Sequence, residues 1–517
     1  MKRKLLLSRS FVVSLCIIFA LCTHTAIAQS LPVAEQDILK KRLLPQPKSI
    51  TLSDGEVVLD NTLTLTIELA VDDTNAKSEA AEIFKRCFGT EPKIIVAKKK
   101  DVPKEKEAYR ISASGKTLRL AAADFAGIRH AFSTIRQLAE SNHNGEKLVA
   151  YWIPQLEISD APAMAFRGLH LCWLPEMRLA RIEQAIRMAA YYKFNYVVLE
   201  FWGVYPFAKH PEFGWEEYKA KPEDVKRLVK LGKELGITLI PQFNIFGHAS
   251  AARSGTQKHA LLDRHPEYQP LFEPDGWVWC LSNPATRSYL TDIVLEMYDM
   301  FDQPPYFHIG CDEANAPESR SSLRADYRAL LKDHILYFQK LFAERNCRIM
   351  MWHDMLIPRS DPQWKGYVAN GEHFTAGLLE QLPKDIVICD WQYGHPKENE
   401  TWATMRYFKE LGFTVLASPW ENTDGIRSQG KTIVEAKLDG MLCTTWHHFN
   451  KGTMHAILSE GAQTTWNATS NYRGADIWVF GVHLRQIGWD MSLKDYRDYG
   501  HTDLQVPTES IQGVPYN

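Results

Sequence analysis

Two carboxylates stand side by side in "YFHIGCDEAN", residues 306–315: Asp312 and Glu313. They follow an apolar run and a glycine, so they fall where a strand gives out. Acids in that position are either a solvated strand end or a working pair. In a working pair one group moves a proton while its neighbour orients or stabilises charge. The choice depends on the elements that hold the pair and on what those elements bring beside it.

Those elements repeat. "FRGLHLCW", "FNYVVLEF", "ITLIPQFN", "YFHIGCDE", "RIMMWHDM", "IVICDWQY", "FTVLASPW" and "GMLCTTWH" are eight β runs, with helical stretches such as "RLARIEQAIRMAAYYK" and "KPEDVKRLVKLGKELG" between most of them. Nearly continuous apolar strands are those buried on both faces of a parallel sheet. Eight βα units predict a (β/α)8 barrel rather than a doubly wound sheet. Residues 29–160 read as a smaller α+β domain. "TLTLTIEL" alternates as a strand, "AKSEAAEIFKRCFG" and "DFAGIRHAFSTIRQLAE" have helical spacing, and "EAYRISASGKTLRLAAA" turns as a hairpin at Ser114-Gly115. "ISDAPAMAFRG" reads as a linker, and 161–517 as the barrel with a C-terminal helical extension.

The 517 residues carry a formal charge of −2, with no basic surplus to suggest nucleic acid. "MKRKLLLSRS", an apolar run and Ala26-Ile27-Ala28 predict an export signal over residues 1–28. Its removal takes Lys2, Arg3, Lys4 and Arg9 and brings the charge to −6. The apolar run is short for a membrane span. The chain is therefore expected in the periplasm or outside the cell. Nine cysteines become seven, an odd set without framework spacing. Cys172, Cys311, Cys389 and Cys443 sit in apolar runs and are expected as small buried hydrophobes. Without CxxC or HExxH, neither metal nor cofactor is expected.

Barrel chemistry is built at the C-terminal ends of the strands. There the sequence places Trp173, then Glu200 and Trp202, then Asn244 with His248 nearby, then Asp312 and Glu313. Trp352 with Asp354, Trp391 with Tyr393, Trp420 with Glu421, and Trp446 with His447 and His448 complete the circuit. Each tryptophan taken alone is as readily core packing as part of a site. Six on separate strands, interleaved with hydrogen-bonding groups, suit a sugar, whose C–H face packs on indole while its hydroxyls need fixed partners.

His308-Ile309-Gly310-Cys311-Asp312-Glu313 resembles the His-x-Gly-Gly-Asp-Glu motif of glycoside hydrolase family 20, the β-N-acetylhexosaminidases. "FRGLHL" is similar to the opening of that family's first barrel strand, and "IPQFNIFGH" to its Ile-Pro-Glu-x-Asp-x-Pro-Gly-His stretch. "EAYRIS" and "AFSTIRQLAE" resemble the domain ahead of its barrel. The resemblance implies an exported retaining hydrolase of terminal β-linked N-acetylhexosamine. The family is one of the substrate-assisted exceptions to the two-carboxylate rule. Carried over by position, Glu313 is the general acid/base, and Asp312 holds the acetamido N–H. Arg167 binds ring hydroxyls, Trp352, Trp391 and Trp446 wall the pocket, and His248 supports the catalytic end. Glu200, Trp202, Asp354, Tyr393, Trp420 and His448 complete the expected substrate shell.

The chain departs from the pattern at several points. Cys311 replaces a glycine, and Gln242 and Asn244 stand where the family has acids. Glu200-Phe201-Trp202-Gly203 replaces a His-x-x-Asp-Asp run, and Trp446-His447-His448 replaces Trp-x-Glu. The family's strand-seven tyrosine has no evident counterpart, which leaves Tyr393 as a substitute. Two alternatives follow: a glycan-binding barrel without turnover, and a hydrolase of a substituted, for example sulfated, hexosaminide read by His447 and His448.

Overall fold

The structure is a computed structural model and describes residues 30–99, 101–175, 177–251, 258–393, 402–446, 454–474 and 477–488. The N-terminal domain is a mixed sheet of β1 (Ser49–Val58), β2 (Thr64–Leu69), β3 (Lys93–Lys98), β4 (Tyr109–Ser114), β5 (Thr117–Ala122), β6 (Glu140–Asn144) and β7 (Lys147–Asp160). Its order is β1-β7-β4-β5-β2-β3, with β6 beside β7. Helices Ala76–Phe88 and Phe125–Leu138 supply the apolar cover. The second is capped by Asp124, whose carboxylate accepts from Gly127 N. The stretch read as a linker is shorter than expected. Ile158–Asp160 ends β7, and β8 begins at Phe166.

Eight parallel strands then close into a barrel: β8 (Phe166–Trp173), β9 (Tyr196–Phe201), β10 (Thr238–Gln242), β11 (Tyr306–His308), β12 (Arg348–Trp352), β13 (Val387–Asp390), β14 (Thr414–Ala417) and β15 (Gly440–Thr444). Every residue of β8 is buried, as a strand sandwiched between barrel interior and helices must be. The helices start and stop on local signals. Pro222 opens the Pro222–Leu235 helix and Gly236 closes it in the left-handed region. Asn283, Asp326 and Asn422 each accept a backbone N–H as N-caps. The helical run after β11 is broken in two, Arg320–Arg324 and Tyr327–Ala343, because Asp326 caps a new start. Between β12 and β13 the connection is made of short 3-10 turns.

The domains meet over a buried polar network. Asp160 accepts from Tyr109 OH at 2.6 Å, Trp466 Nε1 at 2.9 Å and Lys193 Nζ at 3.3 Å. Among the described residues, no helix is long and apolar enough to cross a membrane.

Candidate active site

Strand β11 stops at His308, and the chain beyond it coils instead of alternating. Gly310, Cys311 and Glu313 have φ of 66°, 72° and 45°. A regular strand would send Asp312 and Glu313 to opposite faces. This coil turns both carboxylates to one imidazole: His248 Nε2 lies 3.4 Å from Asp312 Oδ2 and 3.4 Å from Glu313 Oε2. Only glycine fits at 310, since a Cβ there would fall 1.6 Å from Asn244 Oδ1. The non-glycine residues in the left-handed region cost about 1–3 kcal/mol each, strain of the kind that concentrates at functional sites.

His248 is held in place by aromatics. Its ring sits 4.3 Å from that of Trp277 and 5.6 Å from that of Trp202. Trp277 Nε1 also donates to the Glu313 carbonyl at 2.8 Å. Behind the pair, Asp354 Oδ2 accepts from Glu313 N at 3.0 Å and Asn370 Nδ2 at 2.9 Å, while Oδ1 accepts from Trp391 Nε1 at 3.3 Å. Asp354 thus fixes both the peptide of the candidate acid and one wall of the cavity.

The charges follow from burial and pairing. Burial pushes Asp312 above the ordinary aspartate range, and His248 only partly opposes that. Asp312 Oδ1 is buried without a hydrogen-bond partner, an acceptor suited to a substrate N–H. Glu313 is half exposed, 51% for the side chain, and the hydrogen bond from His248 holds it below the usual range. Burial works against a charge on His248, but Asp312 and Glu313 outweigh it and lift the imidazole to about 10. Asp354 is pushed up to about 6 by burial and by Asp312.

These groups border a cavity of about 220 Å³ walled by Trp202, Trp391, Tyr393, Trp420 and Trp446, with Cys172, Leu174 and Glu200. Trp446 Nε1 donates to Tyr393 OH, which lies 3.4 Å from Thr444 Oγ1. Glu200 is held at the β9 side of the same cavity. His170 Nε2 lies 3.1 Å from Oε2, the Cys172 thiol donates to Oε2 at 3.4 Å, and Asn244 Nδ2 donates to Oε1 at 3.1 Å. Burial raises the cost of its charge, but His170, with His248 and the Cys172 thiol, outweighs that and keeps Glu200 below the usual range.

Several expected site residues stand elsewhere. Arg167 is not at the cavity. It lies near the N-terminal end of β8 and is fully buried against the other domain, where Nη2 pairs with Glu107 and Nη1 donates to Met164 O at 2.8 Å. Its side chain follows the outward face of β8, whereas Phe166 points into the barrel. Trp352 is fully buried beneath the cavity, its ring 4.3 Å from His308 and 5.1 Å from Trp446. It is floor, not wall. Asp354 is likewise behind the surface. Trp173 packs against Phe201 in the outer core. His447 and His448, like the export signal, lie outside the described residues. Sequence reasoning missed Trp277, which comes from the long connection after β10 with no spacing to mark it. It also passed over His170 and Cys172 as a pair, although their i, i+2 spacing on a strand puts them on one face.

Residues 209–464 match the catalytic domain of glycosyl hydrolase family 20, and residues 40–161 match that family's domain 2. A β-hexosaminidase of Vibrio furnissii is 24% identical over 385 residues, 64% of this chain and 61% of that protein. A β-hexosaminidase of Porphyromonas gingivalis is 22% identical over 391 residues, 67% of this chain and 49% of that protein. The chain therefore spans 61% and 49% of the lengths of these two relatives. Among solved structures, the exo-β-N-acetylglucosaminidase of Vibrio harveyi in complex with N-acetylglucosamine superposes with a TM-score of 0.66. Its identity is 15%, over 92% of this chain and 79% of that one. A β-N-acetylhexosaminidase of Bacteroides fragilis gives 0.62 at 17% identity, over 87% and 96%. With both domains matched in order and the barrel closed around the paired acids, the chain belongs to glycosyl hydrolase family 20.

Proposed function

We propose that this protein is a retaining, substrate-assisted β-N-acetylhexosaminidase, exported by residues 1–28. The observation that carries the reading is the convergence of Asp312 and Glu313 on His248 at the end of β11, in a cavity walled by indoles. Asp312 accepts the acetamido N–H and raises the electron density of the amide. The carbonyl oxygen attacks C1, and the C1–O glycosidic bond breaks as Glu313 delivers a proton to the leaving oxygen. That proton is stored on His248, 3.4 Å from Glu313 Oε2. Glu313 then takes a proton from water, which opens the oxazoline and returns the β anomer. Trp391, Trp446 and Trp202 hold the sugar face, and Tyr393 lies where it can bond the acetamido oxygen.

The testing experiment is hydrolysis of aryl β-N-acetylglucosaminide and galactosaminide, with the first-formed anomer read by NMR. The β anomer is expected, together with inhibition by N-acetylglucosamine-thiazoline, which mimics the cyclised intermediate. An α anomer first, or a glycosyl ester on Asp354, Glu421 or Glu200, overturns the mechanism. The export signal is checked by N-terminal sequencing of the mature chain, expected to begin at Gln29.

A further inference from the structure

Beside the acids, at β8 and β9, the cavity wall carries a set of donors that the proposed hydrolysis does not use. His170 and Cys172 occupy the same face of β8, and Glu200 is the direct register partner of Cys172 on β9. All three are buried, and one ligand atom from each lies within 4.8 Å of the others. Glu200 Oε2 is 3.1 Å from His170 Nε2 and 3.4 Å from Cys172 Sγ. A tetrahedral zinc ion bonded at about 2.0–2.3 Å keeps its ligand atoms roughly 3.3–3.8 Å apart; the two pairs that involve Glu200 Oε2 lie within a few tenths of an ångström of that range, and the third pair, within 4.8 Å, closes by about 1 Å at most.

The carboxylate is divided in the way a ligand carboxylate is. Oε2 faces the histidine and the thiol, while Oε1 is held by Asn244 Nδ2 at 3.1 Å, itself contacted by Gln242 Nε2 at 3.3 Å. Such outer partners fix ligand orientation and tune affinity. All three ligands stand on regular paired strands, which hold geometry better than loops. The mixture of thiolate, imidazole and carboxylate selects a borderline-soft ion over magnesium or calcium. His170 is otherwise under-used, since its Nδ1 is buried with no hydrogen-bond partner.

We infer that His170, Cys172 and Glu200 form a zinc site whose fourth position opens into the cavity. On binding, the Cys172 thiol releases its proton to solvent and the thiolate, imidazole Nε2 and carboxylate Oε2 coordinate the ion. Because Cys172 and Glu200 border the same space as Asp312 and His248, bound zinc and bound sugar exclude one another. That exclusion rests on the proposed hexosamine site, whereas zinc binding does not.

The test is equilibrium dialysis of the full chain against zinc chloride, with cobalt chloride as a spectroscopic substitute. One ion per chain is expected, with a thiolate-to-cobalt charge-transfer band. Cys172→Ser should abolish the band, and His170→Gln should weaken zinc binding by roughly 10–100-fold or more, while Cys87→Ser changes neither. Should a variant misfold by circular dichroism, X-ray absorption on the zinc-loaded wild type decides, with one sulfur and otherwise nitrogen or oxygen neighbours expected. Failure of the wild type to retain zinc, or a shell without sulfur, overturns the site. If zinc binds but leaves the affinity for N-acetylglucosamine-thiazoline unchanged, the zinc site stands and its competition with sugar is rejected.

Discussion

The two walls of the cavity are built in different ways. On the β11 side, the backbone leaves the strand, and three of the four residues from 310 to 313 take positive φ. Two carboxylates share one imidazole there, and one of them is half exposed. On the β8–β9 side the ladder is regular from Gly168↔Tyr196 to Trp173↔Phe201. None of residues 166–173 or 196–201 has positive φ, and His170 and Cys172 both bond Glu200. Strain thus concentrates at the paired acids, and a regular, rigid ladder stands beside them. The family match divides along the same line. It includes the acids and His248 but not residues 166–201, which lie between the matched stretches.

The contrast is tested most severely at Glu313. If the β11 side holds the proton donor, Glu313→Gln should lower kcat/KM on a natural glycan by ~10²–10⁴, the usual worth of general acid catalysis. The loss should be much smaller on a substrate with a good aryl leaving group, which needs little protonation. Equal losses on the two substrates would remove Glu313 from that role.

Asp312→Asn comes next, with an expected fall of about 10²–10³, the scale of a single preorganised electrostatic contact at a reacting centre. Because the proposed contact is to the acetamido group, the variant should also lose affinity for the thiazoline. A variant that loses rate but keeps that affinity would place the effect on Glu313 instead.

A smaller effect is expected in the pH dependence of stability. His248 has its folded pKa raised from 6.5 to about 10. Its contribution is therefore fully present below pH 6.5 and is lost as pH rises through about 10. With about 1.4 kcal/mol per unit, the total is on the order of a few kcal/mol. His248→Gln has no such term, so urea unfolding should show the gap between wild type and variant closing from pH 7 to pH 10. A gap that stays constant would mean that the imidazole is not held as a cation by the two acids.

The same contrast explains what could be read from sequence. Eight apolar runs with intervening helices mark a barrel because burial on both faces leaves strands few polar positions. Asp312 and Glu313 were legible because a glycine and the end of an apolar run flagged the place where alternation fails. Arg167 was misplaced because a motif gives position along a strand but not the face. In this chain Phe166 points inward, so Arg167 points out to Glu107. Trp352 looked like Trp391 in sequence, yet their depths differ because Trp352 is still paired in the ladder, opposite Cys389, whereas Trp391 lies just past the end of β13. Trp277 was invisible because it reaches the site from a loop more than thirty residues before the acids, through a fold no local pattern describes.

Trp277 gives the finest test of the comparison. Its Nε1 donates to the Glu313 carbonyl at 2.8 Å while its ring lies 4.3 Å from His248. Asp354 grips the same residue from the other side, accepting Glu313 N at 3.0 Å. The strained coil is thus held at both ends of one residue's backbone, by a neutral donor and by a carboxylate. Trp277→Phe keeps an aromatic ring beside His248 but removes the donor with the pyrrole half of the indole, and a neutral hydrogen bond is worth about 0.5–1.5 kcal/mol. A three- to tenfold fall in kcat is therefore expected, roughly the factor that energy corresponds to, with KM nearly unchanged because the ring still supports His248. Asp354→Asn weakens the other grip, and because either grip alone still holds the coil, the double variant should lose more than the two single losses combined, a coupling that a double-mutant cycle measures. Strict additivity would mean that the two contacts act separately, and that the coil at Glu313 is set by Gly310 and its own φ angles alone.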